Sequence, residues 1–348
     1  MKQANIIQSF KELQYGELHL KQLLSEQFFA VIAIHSTHRG PALGGCRFRS
    51  YDSPELAIVD ALRLAQGMSY KAAISDLPFG GGKAVIMHLP NMKDRKTIFE
   101  TFGSFVHSLA GRYITAEDSG TGVADMDIVF EKTPYVTGHS RLTFATKDPS
   151  PLTALGVVTG MESCVRFHLK KESLDGLHIA IQGVGNVGFH LAHDCLDRGA
   201  NVTVCDTNPA AIEHLLKTAK VQVCAPEEIL SLVCDIFAPC ALSNAINPTS
   251  LTNLKAKIVA GSANNQLSDP SMATLLKEKN ILYAPDYVIN AGGLIHVAAQ
   301  YLSQNEAEAK EKVLKIHDSL SAIFEVAKAE HKTTLEIADR LAQERLSE

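Results

Sequence analysis

Two lysines and an aspartate have types and spacing that could do chemistry. Lys71 closes the stretch MSYK, and twelve residues on Lys83 follows three glycines in LPFGGGKAV. Lysine is seldom fully buried without a partner. Projecting from a glycine-lined pocket, it binds a carboxylate as a cation, or acts as a general base once desolvation or a second cation lowers its pKa. Two lysines in one cleft divide those tasks. A phosphate loop of the Walker type is excluded, because the earlier glycine is missing and Lys83 is followed by Ala84. Asp118 sits in TAEDSGT, a loop rich in Ser, Gly and Thr, where a carboxylate is freer to act than on a packed helix. Taken singly, the lysines also fit solvated surface positions, and Asp118 fits a turn or a helix N-cap. Asp125 and Asp127 lack the glycine and terminal glutamate of a calcium loop, so no metal is expected.

A second constellation lies in LHIAIQGVGNVGFHLAHDCLDRGANVTVCD, residues 177–206. Gly183, Gly185 and Gly188 follow an apolar strand and open a helix, and Asp206 ends the next strand, which is the full context of a dinucleotide site. Gly183 permits the tight turn, Gly185 lets the backbone approach a pyrophosphate, and Gly188 lets helix pack on strand. The helix N-terminus offers free N–H donors to phosphate. Asp206 accepts hydrogen bonds from adenosine ribose hydroxyls and repels a 2′-phosphate, and the following Thr207, Asn208 and Pro209 supply no arginine to offset that. NAD is therefore expected over NADP. The competing reading is a glycine-tolerant turn with a surface aspartate.

These residues need elements to hold them. The chain has 348 residues, enough for about two domains. With 46% hydrophobic and 20% charged residues it can bury a sizeable core. A net charge of -5 argues against nucleic acid or anionic lipid as a partner, and no apolar run is long enough to span a membrane. Seven cysteines without a C-x-x-C pair, and no signal peptide, indicate the cytoplasm.

Residues 28–36 read as a strand, and Ser53 and Pro54 start a helix that Gly67 would stop. Residues 80–82 read as a glycine loop into the strand KAVIMHL, and a helix is expected over 96–110. The stretch HSRLTFATKDPSP, 139–151, reads as a linker or hinge. Beyond it a helix near 152–168 precedes strands alternating with helices, the pattern of a doubly wound parallel sheet. One long helix over 306–328 and a capping box at Thr333 and Glu336 complete the chain.

GPALGGCR at 40–47, MSYKAAISDLPFGGGKAVI at 68–86, TAEDSGT at 115–121, GSANNQL at 261–267 and APDYVINAGGLIHVA at 284–298 resemble, in order, the amino-acid dehydrogenase superfamily of glutamate, leucine, phenylalanine and valine dehydrogenases. The branched-chain and aromatic members are the nearer ones. The resemblance implies an α/β fold in two parts: an amino-terminal substrate and oligomerisation domain, 1–138 with about 328–348 returning, and a Rossmann-type doubly wound NAD-binding domain, 139–327. Substrate and cofactor would meet across the cleft.

By the same resemblance Lys71 holds the substrate carboxylate, helped by Gly44, Gly45, Met68 and Asn265. Lys83 activates water against an imine, and Asp118 exchanges protons with the amino group. Thr153 reaches the nicotinamide carboxamide, Gly183, Gly185, Asn186, Val187, Gly188 and Asp206 hold the rest of the dinucleotide, and Cys240, Ala241 and Asn264 line the nicotinamide ribose. Leu43, Ala116, Leu294 and Val297 occupy the side-chain pocket, where an apolar wall disfavours glutamate by several kcal/mol. The implied reaction takes a branched-chain L-amino acid to the 2-oxo acid and ammonium in a homo-oligomer, dimer or octamer.

Overall fold

The computed structural model describes residues 6–12, 16–90, 92, 94–142, 148–241 and 243–347. The linker expected at 139–151 lies partly outside them, at 143–147. The chain divides into two compact units: Met1–Lys147, Val297–Glu306 and Ala342–Glu348 form the first, Asp148–His296 and Ala307–Leu341 the second.

In the first unit the strands are β1 (Glu17–Leu23), β2 (Phe28–Ser36), β3 (Ala42–Arg49), β4 (Gly80–Met87) and β5 (Tyr113–Glu117), in the order β1-β2-β4-β3-β5. β3 runs parallel to both neighbours, while β2 is antiparallel to β1 and β4. Strand side chains alternate between faces. Val31, Ala33 and Val85 accordingly pack with the helix Pro54–Ile74, while Ala30, Ile32, Ile34, Ala84 and Ile86 share a core with Phe99 and Phe102 of the helix Arg95–Ser108. Each such buried aromatic contributes about 1.5–3 kcal/mol.

Two expectations fail here for tertiary reasons. The helix capped by Ser53 does not stop at Gly67 but runs to Ile74. Gly67 faces open space, and burial of Ser69, Ala72, Ala73 and Ile74 beyond it outweighs the roughly 1 kcal/mol that a helical glycine costs. Residues 80–82 are no loop; they are the first residues of β4, buried throughout. A side chain at Gly80 would stand 1.8 Å from the Ser36 carbonyl oxygen, at Gly81 2.0 Å from the Ser69 nitrogen, and at Gly82 2.7 Å from the Tyr113 ring. The three glycines let backbones close on β4 from both faces; they do not line an open pocket.

In the second unit β6 (His178–Gln182), β7 (Asn201–Cys205), β8 (Gln222–Val223), β9 (Ile236–Pro239), β10 (Ile258–Val259) and β11 (Leu282–Tyr283) form a parallel sheet ordered β11-β10-β9-β6-β7-β8. The order reverses between β6 and β9, the topological switch point at which such sheets bind ligands. The long helix expected over 306–328 is two, Glu306–Leu314 and Ile316–Ala329. Thr333 and Glu336 do form the capping box of the last helix, with Thr333 N–H donating to Glu336 at 2.8 Å and Glu336 N–H to the Thr333 hydroxyl at 3.2 Å.

The chain re-enters the first unit at Val297–Glu306 and Ala342–Glu348, where the sequence reading set a single return at 328–348. Hydrogen bonds explain the later point. Thr334 donates to the Tyr283 carbonyl at 2.7 Å and Asp339 accepts from Tyr287 at 2.8 Å, both within the second unit. Only after Leu341 do the bonds change unit: Gln343 donates to Tyr70 at 2.7 Å and Arg345 to the Ile74 carbonyl at 2.7 Å. Among the described residues no helix is long and apolar enough to cross a membrane.

Candidate active site

In the first unit β3 lies between β4 and β5, so a residue on β4 reaches one just past β5 only by crossing β3. At the crossing β3 carries Gly44 and Gly45. A side chain on Gly44 would stand 1.7 Å from the Gly82 carbonyl oxygen, and one on Gly45 2.8 Å from Asp118 Cβ. With neither present, Lys83 Nζ lies 2.5 Å from Asp118 Oδ2. Lys83 is 6% exposed. The Tyr113 hydroxyl, fully buried, fixes the crossing by donating to the Gly44 carbonyl at 2.6 Å.

The loop after β5 is pinned in turn. Asp118 N–H donates to the Thr121 hydroxyl at 2.8 Å, and that hydroxyl donates to the Cys46 carbonyl of β3 at 2.9 Å. Nearby Asp125 is structural, bound by Arg95 at 2.6 Å and by the Gly122 N–H at 2.9 Å.

Sequence reasoning missed the second cation. Arg47 Nε stands 3.5 Å from Asp118 Oδ2, and its Nη1 donates to Asp60 at 2.8 Å; Asp60 also accepts from the Tyr51 hydroxyl at 2.7 Å. Burial alone would push the Asp118 carboxyl up, but Lys83 and Arg47 outweigh it and hold it down at about 2. Asp118 is thus a carboxylate over the whole physiological range. The only sequence sign of this network was an arginine two residues after the glycine pair of GPALGGCR.

Met68 and Lys71 share a face of the last turns of the helix Pro54–Ile74, both half-buried, next to Ser69, which abuts Gly81. Lys71 therefore sits on an element in contact with the strand that carries Lys83. Leu43 and Ala116 are buried in β3 and β5. Val297 is drawn to this sheet through its carbonyl, which accepts from the Thr137 hydroxyl at 3.3 Å, while Thr137 N–H donates to the Thr115 carbonyl at 2.9 Å. Leu294 and Asn265, by contrast, fall in the second unit.

In the second unit Gly183 takes φ +96°, a region that favours glycine, and its N–H donates to the Cys205 carbonyl at 2.8 Å. A side chain on Gly188 would stand 2.0 Å from the Gly183 carbonyl oxygen, whereas one on Gly185 would meet nothing within 4 Å. That open space is what a phosphate approaching the backbone requires. Asn186 begins the helix Asn186–Asp197, followed by Val187. Asp206 accepts from Val184 N–H and Asn208 N–H, each at 2.8 Å, one on each carboxylate oxygen. Its remaining lone pairs stay available to hydroxyls. The residues thus fit a dinucleotide.

Cys240 and Ala241 follow β9, with Cys240 N–H donating to the Gln182 carbonyl at 2.8 Å, and Ala241 abuts Gly183. The loop after β10 is locked by Asn290, which donates to Asn264 at 2.8 Å, and by buried Gln266, which donates to the Gly261 carbonyl at 2.7 Å. Thr153, at the start of its helix, donates to the Pro149 carbonyl at 2.8 Å and lies against Gly293. The carboxamide oxygens of Gln182, just before the turn, and of Asn290, against the loop after β10, are buried without a hydrogen-bond donor, two acceptors that sequence reasoning did not single out.

A glycine-turn dinucleotide unit, in one chain with a buried lysine–carboxylate pair on a second sheet, defines a class: the dinucleotide-linked dehydrogenases. Residues 18–135 match the Glu/Leu/Phe/Val dehydrogenase dimerisation domain and residues 206–348 the Glutamate/Leucine/Phenylalanine/Valine dehydrogenase domain. The leucine dehydrogenase of Geobacillus stearothermophilus is 46% identical over 91% of this chain and 86% of its own. The phenylalanine dehydrogenase of Caldalkalibacillus thermarum is 41% identical over 91% of this chain and 87% of its own. The crystal structure of L-tryptophan dehydrogenase from Nostoc punctiforme superposes with a TM-score of 0.86 at 39% identity, covering 98% of both chains. The chain belongs to the Glu/Leu/Phe/Val dehydrogenase family.

Proposed function

We propose that this protein carries out the reversible, NAD-dependent oxidative deamination of a branched-chain L-amino acid, leucine with valine and isoleucine, to the 2-oxo acid and ammonium. The observation that carries the reading is the buried Lys83–Asp118 pair at 2.5 Å, in a chain 46% identical to a leucine dehydrogenase.

Lys71 binds the substrate carboxylate, with Gly44, Gly45, Met68 and Asn265 around it. Asp118, ionised, takes a proton from the substrate ammonium and leaves the amine. NAD, when bound, supplies the acceptor for the hydride leaving Cα. Lys83, its ammonium proton first released to solvent as the net proton of the reaction, removes a proton from the water that adds to the imine carbon, while Asp118 carries the proton taken from the substrate. Return of a proton to the carbinolamine nitrogen expels ammonia, and collapse to the carbonyl yields the 2-oxo acid. Leu43, Ala116, Leu294 and Val297 give the pocket an apolar wall that leaves a glutamate side chain unpaired, at a cost of several kcal/mol. On the cofactor side Gly183, Gly185, Asn186, Val187 and Gly188 hold the pyrophosphate, Asp206 the ribose, and Thr153, Cys240, Ala241 and Asn264 the nicotinamide end. The orientation of Asp206 supports NAD over NADP.

The seven free cysteines, all carrying thiols that burial pushes up, support a reducing cytoplasm. A homo-oligomer, dimer or octamer, is supported by the match of residues 18–135 to a dimerisation domain. A panel of L-amino acids with NAD, followed by NADH absorbance, tests the reading. Leucine, valine and isoleucine should lead. A lead by phenylalanine overturns the substrate assignment, and NAD binding without turnover on any amino acid overturns the activity.

A further inference from the structure

The second unit holds a groove of about 470 Å³ beside β11, the edge strand, three strands across the sheet from β6 and its glycine turn. Its walls come from the helix Ser271–Glu278, the turn Val165–Leu169, and the end of the helix Ile316–Ala329 with the residues after it. The lining is unlike the rest of the molecule. In a chain of net charge -5 it carries four lysines, Lys170, Lys277, Lys328 and Lys332, two histidines and no carboxylate. Among the described residues only Lys332 of the four has a salt-bridge partner within 4.0 Å, Glu330 at 3.1 Å, and Glu330 is shared with Arg340; Glu336, held by Thr333 of the lining, feels both Lys332 and Lys277. Lys277 instead donates to the carbonyl of His331.

Beneath the lysines lies an aromatic surface. Phe167 is half-buried, with its ring centre 5.3 Å from that of Phe324, and Lys170 Nζ stands 5.2 Å over the Phe167 ring. The ring face toward the lysine is covered by a side chain on an exposed residue, one that a ligand can move aside.

The geometry points to a binding site for a nucleoside polyphosphate, its phosphates on the lysines and its planar base against Phe167. The volume falls in the range of ligand pockets, about 300–1,000 Å³. Lysines act as point charges for phosphate, and several unpaired ones around one groove exceed what a single carboxylate can use. Aromatic faces accept any planar base by stacking. The groove lies apart from the glycine turn, so its occupancy does not depend on the proposed catalytic reading.

Calorimetric titration of the full-length protein with ATP, at saturating NADH to keep the glycine turn filled, tests this. ATP should bind, and tripolyphosphate alone should bind at least about tenfold more weakly. The double substitution Lys277→Glu, Lys328→Glu should weaken ATP by about tenfold or more while leaving NADH affinity unchanged. Phe167→Leu, which keeps an apolar floor without the ring, should weaken ATP but not tripolyphosphate. No heat with ATP at millimolar concentration, equal binding of tripolyphosphate, indifference to the charge reversals, or ATP binding only when NADH is absent would each overturn the assignment.

Discussion

Lys83 and Asp118 meet across two glycines: the ammonium of one, on β4, stands 2.5 Å from the carboxylate of the other, just past β5, above the side-chain-free stretch of β3. The pair is buried and Arg47 backs it, so removing the lysine leaves Asp118 a partner. Lys83→Ala should therefore fold and bind NADH with unchanged affinity. Its turnover should fall about 100- to 10,000-fold, the usual contribution of a positioned base. Single-turnover kinetics alongside NADH fluorescence titration separates the two, and full activity would remove Lys83 from the mechanism.

Arg47 predicts a shift in pH dependence. Burial raises the Asp118 carboxyl, and Lys83 and Arg47 lower it to about 2. With Arg47→Leu one of the opposing cations is gone, so the Asp118 carboxyl moves up toward the ordinary carboxylate range, and its protonation, read from the carboxyl infrared band that Asp118→Asn removes, shifts to higher pH. Arg47→Lys should restore most of the wild-type profile. An infrared pH titration of the three proteins decides; identical carboxyl titrations would mean that Arg47 has no hold on Asp118.

The same carboxylate couples stability to acid. Its folded value, about 2, lies below the ordinary 3.8, so the stabilisation is complete above about pH 4 and is lost as pH falls toward 2. The shift corresponds to something on the order of 2 kcal/mol. Chemical denaturation from pH 5 to pH 2 should show Asp118→Asn less stable than wild type at the upper end, with the gap closing at the lower end. A constant gap would assign the loss to packing.

Gly44 and Gly185 are both site glycines, yet they should respond oppositely to alanine. At Gly44 the new carbon would lie 1.7 Å from the Gly82 carbonyl oxygen, so strands must shift and stability should drop by about 1–3 kcal/mol or more. At Gly185 the carbon meets open space, so melting should be unchanged while NADH affinity falls as the methyl occupies the phosphate's place. Calorimetric melting and NADH titration of both variants check this.

Much of the site was legible because the signals are local. The run from Leu177 to Asp206 spells strand, turn, helix and strand in thirty residues, and each glycine occupies a position that the adjacent backbone dictates. Thr333 and Glu336 likewise declared a helix start three residues apart. Arg47, Asp60 and Tyr51 could not be read this way. Of the three only Arg47 reaches Asp118, which lies 71 residues on in sequence, and the two meet only through the register that sets Cys46 opposite Glu117. The glycines of β4 were misread for the same reason, since a glycine run means a loop locally and close packing only when the neighbours are known.

The sequence by itself therefore determined the residue types, the dinucleotide turn and the α/β alternation, because these depend on spacing along the chain and on periods that burial imposes. Tertiary structure alone decided that Gly80, Gly81 and Gly82 are inside a strand, that Arg47 joins Lys83 at Asp118, and that the chain returns to its first unit twice. Each of those depends on which strands lie side by side, and strand order is settled by the packing of whole faces, which no local window contains.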